Sequence, residues 1–172
     1  KASTSATCMM RSSSRSWRRE KSGIFTSTSR LRARRRARML SFDLDSGKAG
    51  AEYIYDVGPV PFPPARQGDF ATNGVPDMLA LSAHEFIVIE RAFAVGAQTP
   101  GVAALTKQPT SNTIKLYLID TRGATDVSGW PSIKGREVVP VKRAMLLDLS
   151  SLKNDDRSVL ALDNIEGISF GP

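Results

Sequence analysis

Residues that build the commonest metal and nucleophile sites are almost missing from this sequence. Among 172 residues there is one cysteine, Cys8, and one histidine, His84. A lone cysteine excludes a disulfide within the chain and a zinc site made of cysteines. A lone histidine excludes a metal site made of several histidines. The stretch "GISFG" (167–171) matches the G-x-S-x-G pattern, but the strand pattern of the chain does not predict the strand-to-helix turn that holds the serine nucleophile of an α/β-hydrolase.

Long apolar runs are also missing. No stretch reaches the roughly 18 apolar residues of a membrane-spanning helix, so no membrane span is predicted. Residues 1–30 lack the apolar core of a signal peptide, and the chain begins with Lys1 instead of methionine. We therefore expect the natural protein to extend beyond this chain, and its location is not decided by the missing signal.

Positive charge is concentrated in the first quarter of the chain. Residues 1–39 contain 12 Lys or Arg and one acidic residue, whereas residues 40–172 contain 12 Lys or Arg and 16 acidic residues. The mildly acidic body gives no reason to expect a nucleic-acid partner. The Ser- and Arg-rich segment 1–38 has three interpretations: a disordered basic arm that binds phosphates, a solvated tail, or an out-of-frame translation of GC-rich DNA.

The body of the protein, residues 39–172, has the apolar-polar alternation of β-strands. No stretch keeps the 3.6-residue period of a helix over three turns. About seven strands separated by turns and two long loops predict an all-β body: a sandwich, a barrel or propeller blades. The predicted strands are 40–44, with Leu40, Phe42 and Leu44 on one face, then 51–57, 77–82, 85–93, 113–121, 138–148 and 165–170.

Several stretches of the body resemble the bacterial family known as "esterase-like activity of phytase", or phytase-like domain. The resemblance covers residues 40–172 in consistent order, and "ATDVSG" and "DNIEG" are its least generic parts. The stretches are "LSFDLDSGKAGAEYIYDV" (40–57), "NGVPDMLALSAHEFIVIERAF" (73–93), "NTIKLYLIDTRGATDVSG" (112–129), "VPVKRAMLLDLSSL" (139–152) and "LDNIEGISFGP" (162–172).

The resemblance implies a β-propeller that is periplasmic or secreted in its full-length form and hydrolyses a small-molecule ester or phosphate ester. Residues 39–172 would then be a fragment of about two blades, truncated at the C-terminus, since propellers have 4 to 8 blades of four strands. Such a fragment is expected to be inactive by itself. The alternative is a propeller without turnover that binds a ligand or a protein, because propellers host both kinds of function.

The motif "DNIEG" is the first candidate site. Asp163, Asn164 and Glu166 fall within four residues, at the place where the resemblance implies the mouth of a propeller channel. Carboxylate and amide oxygens suit Ca²⁺, and they can also orient a water for attack on a phosphate ester. The alternative is a turn at Asp163–Asn164 followed by a charge at the end of a strand.

Two further pairs precede or end strands. Asn73 and Asp77 come before the strand 77–82 and are candidate co-ligands of the "DNIEG" cluster; the alternative is an Asn-Gly turn and an Asp77 that only accepts backbone N–H groups. Glu90 and Arg91 end the apolar run "FIVIE". They either engage a neighbouring chain or a ligand phosphate, whose geometry arginine matches, or form a solvent-facing strand end.

Overall fold

Two antiparallel sheets make up the part of the protein that the computed structural model describes, residues 7–11, 35–103 and 106–171. The prediction of an all-β body is confirmed, because the described residues contain strands and a single turn of 3-10 helix. The strands are β1 (Thr7–Arg11), β2 (Arg35–Phe42), β3 (Ala49–Val57), β4 (Ala71–Gly74), β5 (Met78–Ala80), β6 (Glu85–Ala94), β7 (Asn112–Asp120) and β8 (Lys142–Asp148), and the 3-10 turn is Leu149–Ser151.

The order of the strands places β6 and β7 at the centre of the second sheet. The first sheet has the order β1-β2-β3, and the second has the order β4-β6-β7-β8, with β5 also paired to β6. Glu90 lies opposite Lys115 in β7, and the neighbouring Arg91 lies opposite Ile114. Because successive residues of a strand point to opposite faces, the side chains of Glu90 and Arg91 lie on opposite faces of the sheet.

Both faces of the second sheet are covered by apolar side chains. One face packs against the first sheet, where the buried residues are Ala37, Met39, Tyr55, Val88, Ile119 and Val141. The other face packs against the C-terminal segment, where buried Ile89, Ile114 and Leu149 meet Leu162, Ile165 and Ile168. The two sides of β6 and β7 are therefore both interior, and each offers a separate place for a site.

The face of β2 that enters the core differs from the prediction. Ala37 and Met39 are buried, whereas Leu44 lies beyond the strand and is 51% exposed. The strand begins at Arg35, and an irregularity in its pairing with β3 falls between Leu40 and Phe42. The predicted strand 40–44 therefore had the wrong bounds, and the face of β2 that is buried is the one opposite to Leu40 and Phe42.

Two assignments of strands were also wrong. Residues 71–74 form β4, although the Asn-Gly pair there favoured a turn. Residues 165–170, predicted as a strand, have no regular secondary structure. The backbone N–H of Ile168 donates to the Asp77 carboxylate at 2.9 Å, and Phe170 is 67% exposed. The segment therefore lies on the sheet through side chains at a spacing of three, Ile165 and Ile168, without joining a ladder.

Most of the basic segment 1–38 lies outside the described residues, so its interpretation as disordered or out of frame stays a prediction. Within it, 7–11 and 35–38 belong to β1 and β2. The described strands do not establish propeller blades, and the propeller also stays a prediction. No helix in the described part has the length and apolar character needed to cross a bilayer.

Candidate functional site

A buried carboxylate lies between the two sheets. Glu90 is 3% exposed and receives hydrogen bonds from the Tyr55 hydroxyl at 2.5 Å and from the Asn73 amide at 2.8 Å. The backbone N–H of Gly58 donates to both of its oxygens at 3.1 Å, and the Arg143 guanidinium completes the set with a short ion pair. We call these five residues the Glu90 network.

The Glu90 network is closely packed. Arg143 reaches Glu90 by passing over the ring of Tyr117, with 4.5 Å between the guanidinium carbon and the ring centre. A Cβ on Gly58 would lie 2.7 Å from Glu90 Oε2, so only glycine allows this approach. Because its oxygens are occupied by four donor groups, Glu90 is suited to joining the sheets and not to accepting a proton from a substrate.

The tyrosines beside Glu90 predict a loss of stability in alkali. Burial, and then the Glu90 carboxylate, raise the pKa of Tyr55, and the same two causes raise the pKa of Tyr117. A raised folded-state pKa gives stabilisation that is complete below the unfolded value of about 10 and is lost as the pH rises above it. We expect the free energy of unfolding, measured with urea, to fall above about pH 10.

An absorbance titration checks this expectation directly. Ionisation of Tyr55 and Tyr117 should coincide with the loss of the circular dichroism of the fold, and Tyr55→Phe should reduce the amplitude of that late phase. Ionisation of Tyr55 and Tyr117 near pH 10, with the fold intact, would contradict the expectation.

The opposite face of β6 carries a second polar group, which we call the Arg91 pocket. Arg91 pairs with Glu166 at 2.7 Å, and Asn164 donates to the same carboxylate oxygen at 2.9 Å. Asn112 donates to Asp163, also at 2.9 Å. Arg91, Asn112, Asp163 and Asn164 border a cavity of about 560 Å³ that is also lined by Phe70, Thr72, Gly74, Val75, Pro76 and Phe93. Glu166 is joined to this lining through its hydrogen bonds with Arg91 and Asn164.

The Arg91 pocket is open and chemically mixed. The side chain of Arg91 is 26% exposed and that of Glu166 is 62% exposed, so solvent and small molecules reach both. Phe70 and Phe93, with 6.4 Å between their ring centres, form an apolar wall. The pocket therefore has a cation, Arg91, with an exposed carboxylate beside it and an apolar wall.

Asp77 positions the segment that carries Glu166. Its two carboxylate oxygens accept the backbone N–H groups of Met78, at 2.8 Å, and Ile168, at 2.9 Å. Asp77 therefore accepts backbone N–H groups, and its role as a ligand stays a prediction. The hydrogen bond from the N–H of Ile168 holds the chain that follows Glu166 against β5 and β6.

The structure separates the predicted site residues into two groups. Arg91 lies beside the "DNIEG" residues Asp163, Asn164 and Glu166. Asp77 holds the same segment by accepting the backbone N–H of Ile168. Asn73 is directed to the other face, where it binds Glu90, so it is not a neighbour of the "DNIEG" cluster. The interpretation of Glu90 as solvent-facing was wrong, because it is buried in the middle of β6 and pairs with Arg143.

Four residues of these sites were missed: Tyr55, Gly58, Asn112 and Arg143. Of these four, Arg143 is the residue that the sequence best identifies as a candidate site residue, because it stands in a strand among apolar residues, "VKRAMLL". A buried acid such as Glu90 needs a cation, and Arg143 is a cation of the same sheet. Tyr55 and Gly58 give no such signal, since their contact with Glu90 depends on how the sheets pack.

The described residues do not form a complete calcium site. None of their groups brings three or more His, Cys, Asp or Glu together, whereas Ca²⁺ takes 6 to 8 oxygens. Glu166 is paired with the cation of Arg91, which disfavours a second cation there. Calcium binding stays a prediction.

The described part of the chain is an all-β protein with an arginine in the lining of a cavity and an exposed carboxylate paired to it. The family described as phytase-like, esterase-like activity of phytase, matches residues 17–172, and the chain belongs to it. The match begins well before residue 40, so it reaches further toward the N-terminus than the motifs predicted. Neither a curated protein nor a solved structure matches the chain.

Proposed function

We propose that the protein is a β-propeller hydrolase, exported to the periplasm or secreted, that cleaves a small-molecule ester or phosphate ester in the Arg91 pocket. The observation that carries this proposal is the position of Arg91 in the lining of a 560 Å³ cavity, together with its pairing to the exposed carboxylate of Glu166. The membership of the phytase-like family supports the same reaction class.

The two charged groups have complementary roles. Arg91 has a planar guanidinium that matches a phosphate or the developing oxyanion of an ester. When the substrate takes that place, Glu166 is released to accept a proton from an attacking water. The water oxygen bonds to phosphorus or to the carbonyl carbon, the bond to the leaving oxygen breaks, and a proton returns to the leaving alcohol.

The remaining lining residues position the substrate. Asn164 and Asn112 hold Glu166 and Asp163 by hydrogen bonds, and the Phe70–Phe93 wall accommodates the apolar part of the alcohol. The cavity adjoins β4, which lies at the end of the strand order of the second sheet. If the blades of a propeller surround a central channel with this edge innermost, the cavity opens toward that channel.

The proposal is tested by assaying the intact natural protein with p-nitrophenyl phosphate and p-nitrophenyl acetate, each with and without a chelator. We expect turnover of at least one ester that persists in chelator, because Arg91 and Glu166 need no metal for the steps above. Turnover that disappears in chelator would instead support the predicted calcium ion as a required partner. If neither ester is turned over, the hydrolase is refuted and the non-catalytic ligand-binding propeller takes its place.

A further inference from the structure

We infer that Gly74 determines the specificity of the Arg91 pocket, and that the substrate is an uncharged carboxylic ester whose acyl group is longer than acetyl. This inference deepens the proposed hydrolase and rests on it, because it assigns the two parts of an ester to two places in the same cavity. The observation behind it is the open space that glycine leaves on β4 beside Arg91.

The register of β4 and β6 places Gly74 directly beside Arg91. The two residues lie opposite each other in the antiparallel ladder, and both line the cavity. Side chains at opposite positions of such a ladder share a face, with their Cβ atoms about 5 Å apart. A side chain at position 74 would therefore lie on the cavity side of the sheet, next to the side chain of Arg91.

The backbone of Gly74 does not require glycine. The residue lies outside the left-handed region that favours glycine. In the described structure, a Cβ built on Gly74 would meet no atom within 4 Å apart from its chain neighbours. Glycine weakens a strand, and where it occurs it often marks the close approach of a ligand. The empty space at Gly74 therefore belongs to the substrate.

The aromatic wall and Gly74 receive different parts of the ester. Phe93 is two residues beyond Arg91 on the same strand, roughly 7 Å away along it, and Phe70 lies beside it with 6.4 Å between the ring centres. Gly74 is level with Arg91, and from there the lining continues to Pro76. With the reacting carbonyl at Arg91, the alcohol lies toward Phe93 and the acyl group lies beside Gly74.

The charges around the cavity favour an uncharged ester. Among the described residues, the lining contains one cation, Arg91, and one carboxylate, Asp163. Arg91 is also paired with Glu166, so the three groups together carry a single net negative charge. Like a phosphorylated side chain, a phosphate monoester carries about −1.5 to −2 charges at neutral pH, and it is repelled. A carbonyl becomes negative only in the transition state, where Arg91 stabilises it.

Selectivity for the acyl chain in the intact natural protein tests the inference. We expect kcat/KM for p-nitrophenyl hexanoate to exceed that for p-nitrophenyl acetate about tenfold or more, because each buried methylene contributes a factor of about four. Gly74→Val places a side chain in the acyl space and should reduce this preference to about threefold or less. Gly74→Ala should have a smaller effect in the same direction.

Gly129→Val is the matched control. A Cβ on Gly129 also meets nothing within 4 Å in the described structure, and Gly129 is outside the lining of the cavity. This variant should keep the preference for hexanoate. The circular dichroism and the melting temperature of each variant show whether its fold is intact, and Gly74→Ala supplies the result if Gly74→Val does not fold.

Binding of slowly hydrolysed anilides separates this inference from the proposed reaction. By calorimetry, hexanoic p-nitroanilide should bind wild type at least about tenfold more tightly than acetic p-nitroanilide, and Gly74→Val should remove the difference. Equal affinities in wild type, or a difference that survives in Gly74→Val, would overturn the inference whether or not esters are hydrolysed. A kcat/KM for p-nitrophenyl phosphate above that for hexanoate would overturn the uncharged substrate. Selective anilide binding without turnover of any ester would refute the hydrolase alone.

Discussion

Replacing Glu90 by glutamine is expected to lower the free energy of unfolding by about 3 kcal/mol. The change keeps the shape of the side chain but removes the charge that Arg143 pairs with. Removing one partner of a buried ion pair costs about 3–5 kcal/mol, and we take the lower end because the side chain of Arg143 is 30% exposed. Urea unfolding followed by circular dichroism measures the difference.

The matched control is Glu85→Gln, at the first residue of the same strand. Glu85 pairs with Arg122 at 2.8 Å, but the two side chains are 43% and 58% exposed, and exposed ion pairs contribute about 0–1 kcal/mol. A cost at Glu90 that is no larger than the cost at Glu85 would show that the Glu90 network does not hold the sheets together.

A double-mutant cycle separates the ion pair from the other hydrogen bonds. Arg143→Met removes the cation and keeps an unbranched apolar side chain beside the Tyr117 ring. We expect Glu90→Gln and Arg143→Met to be less than additive, with a coupling of about 1–3 kcal/mol. Additive costs would assign the stability to Tyr55, Gly58 and Asn73 instead.

The central strands could be predicted because their pattern is local. The predicted strands 85–93 and 113–121 correspond to β6, Glu85–Ala94, and β7, Asn112–Asp120. Runs rich in β-branched residues identify such strands without knowledge of their neighbours. The same reasoning failed at residues 165–170, where alternation is present but a carboxylate, Asp77, takes the N–H of Ile168 that a ladder would need.

The Arg91 pocket could be predicted in part, and the Glu90 network could not. Asp163, Asn164 and Glu166 are close in the sequence, so their proximity required no tertiary information. The partners of Glu90 lie 35 residues before it, at Tyr55, and 53 residues after it, at Arg143. Only the packing of the two sheets brings them together, and alternation in one strand does not reveal which face of it meets another sheet.

Replacing Arg91 by alanine is expected to reduce ester hydrolysis at least about 100-fold, the loss that follows removal of one oxyanion donor. Stability should change by no more than about 1 kcal/mol, because the partner Glu166 is 62% exposed. Arg91→Lys should recover only part of the rate, since lysine keeps the charge but lacks the two-pronged geometry. The measurement is kcat/KM for p-nitrophenyl phosphate and acetate in the intact protein.

The control for Arg91 is Arg122→Ala, which removes an arginine of another exposed ion pair, at the opposite end of β6. It should leave kcat/KM unchanged, so a rate that falls equally in both variants would remove Arg91 from the mechanism.

Glu166→Gln tests whether Glu166 accepts the proton or only pairs with Arg91. If Glu166 is the base, this variant loses the acidic limb of the pH–rate profile; if the limb persists, another group accepts the proton and Glu166 only positions Arg91.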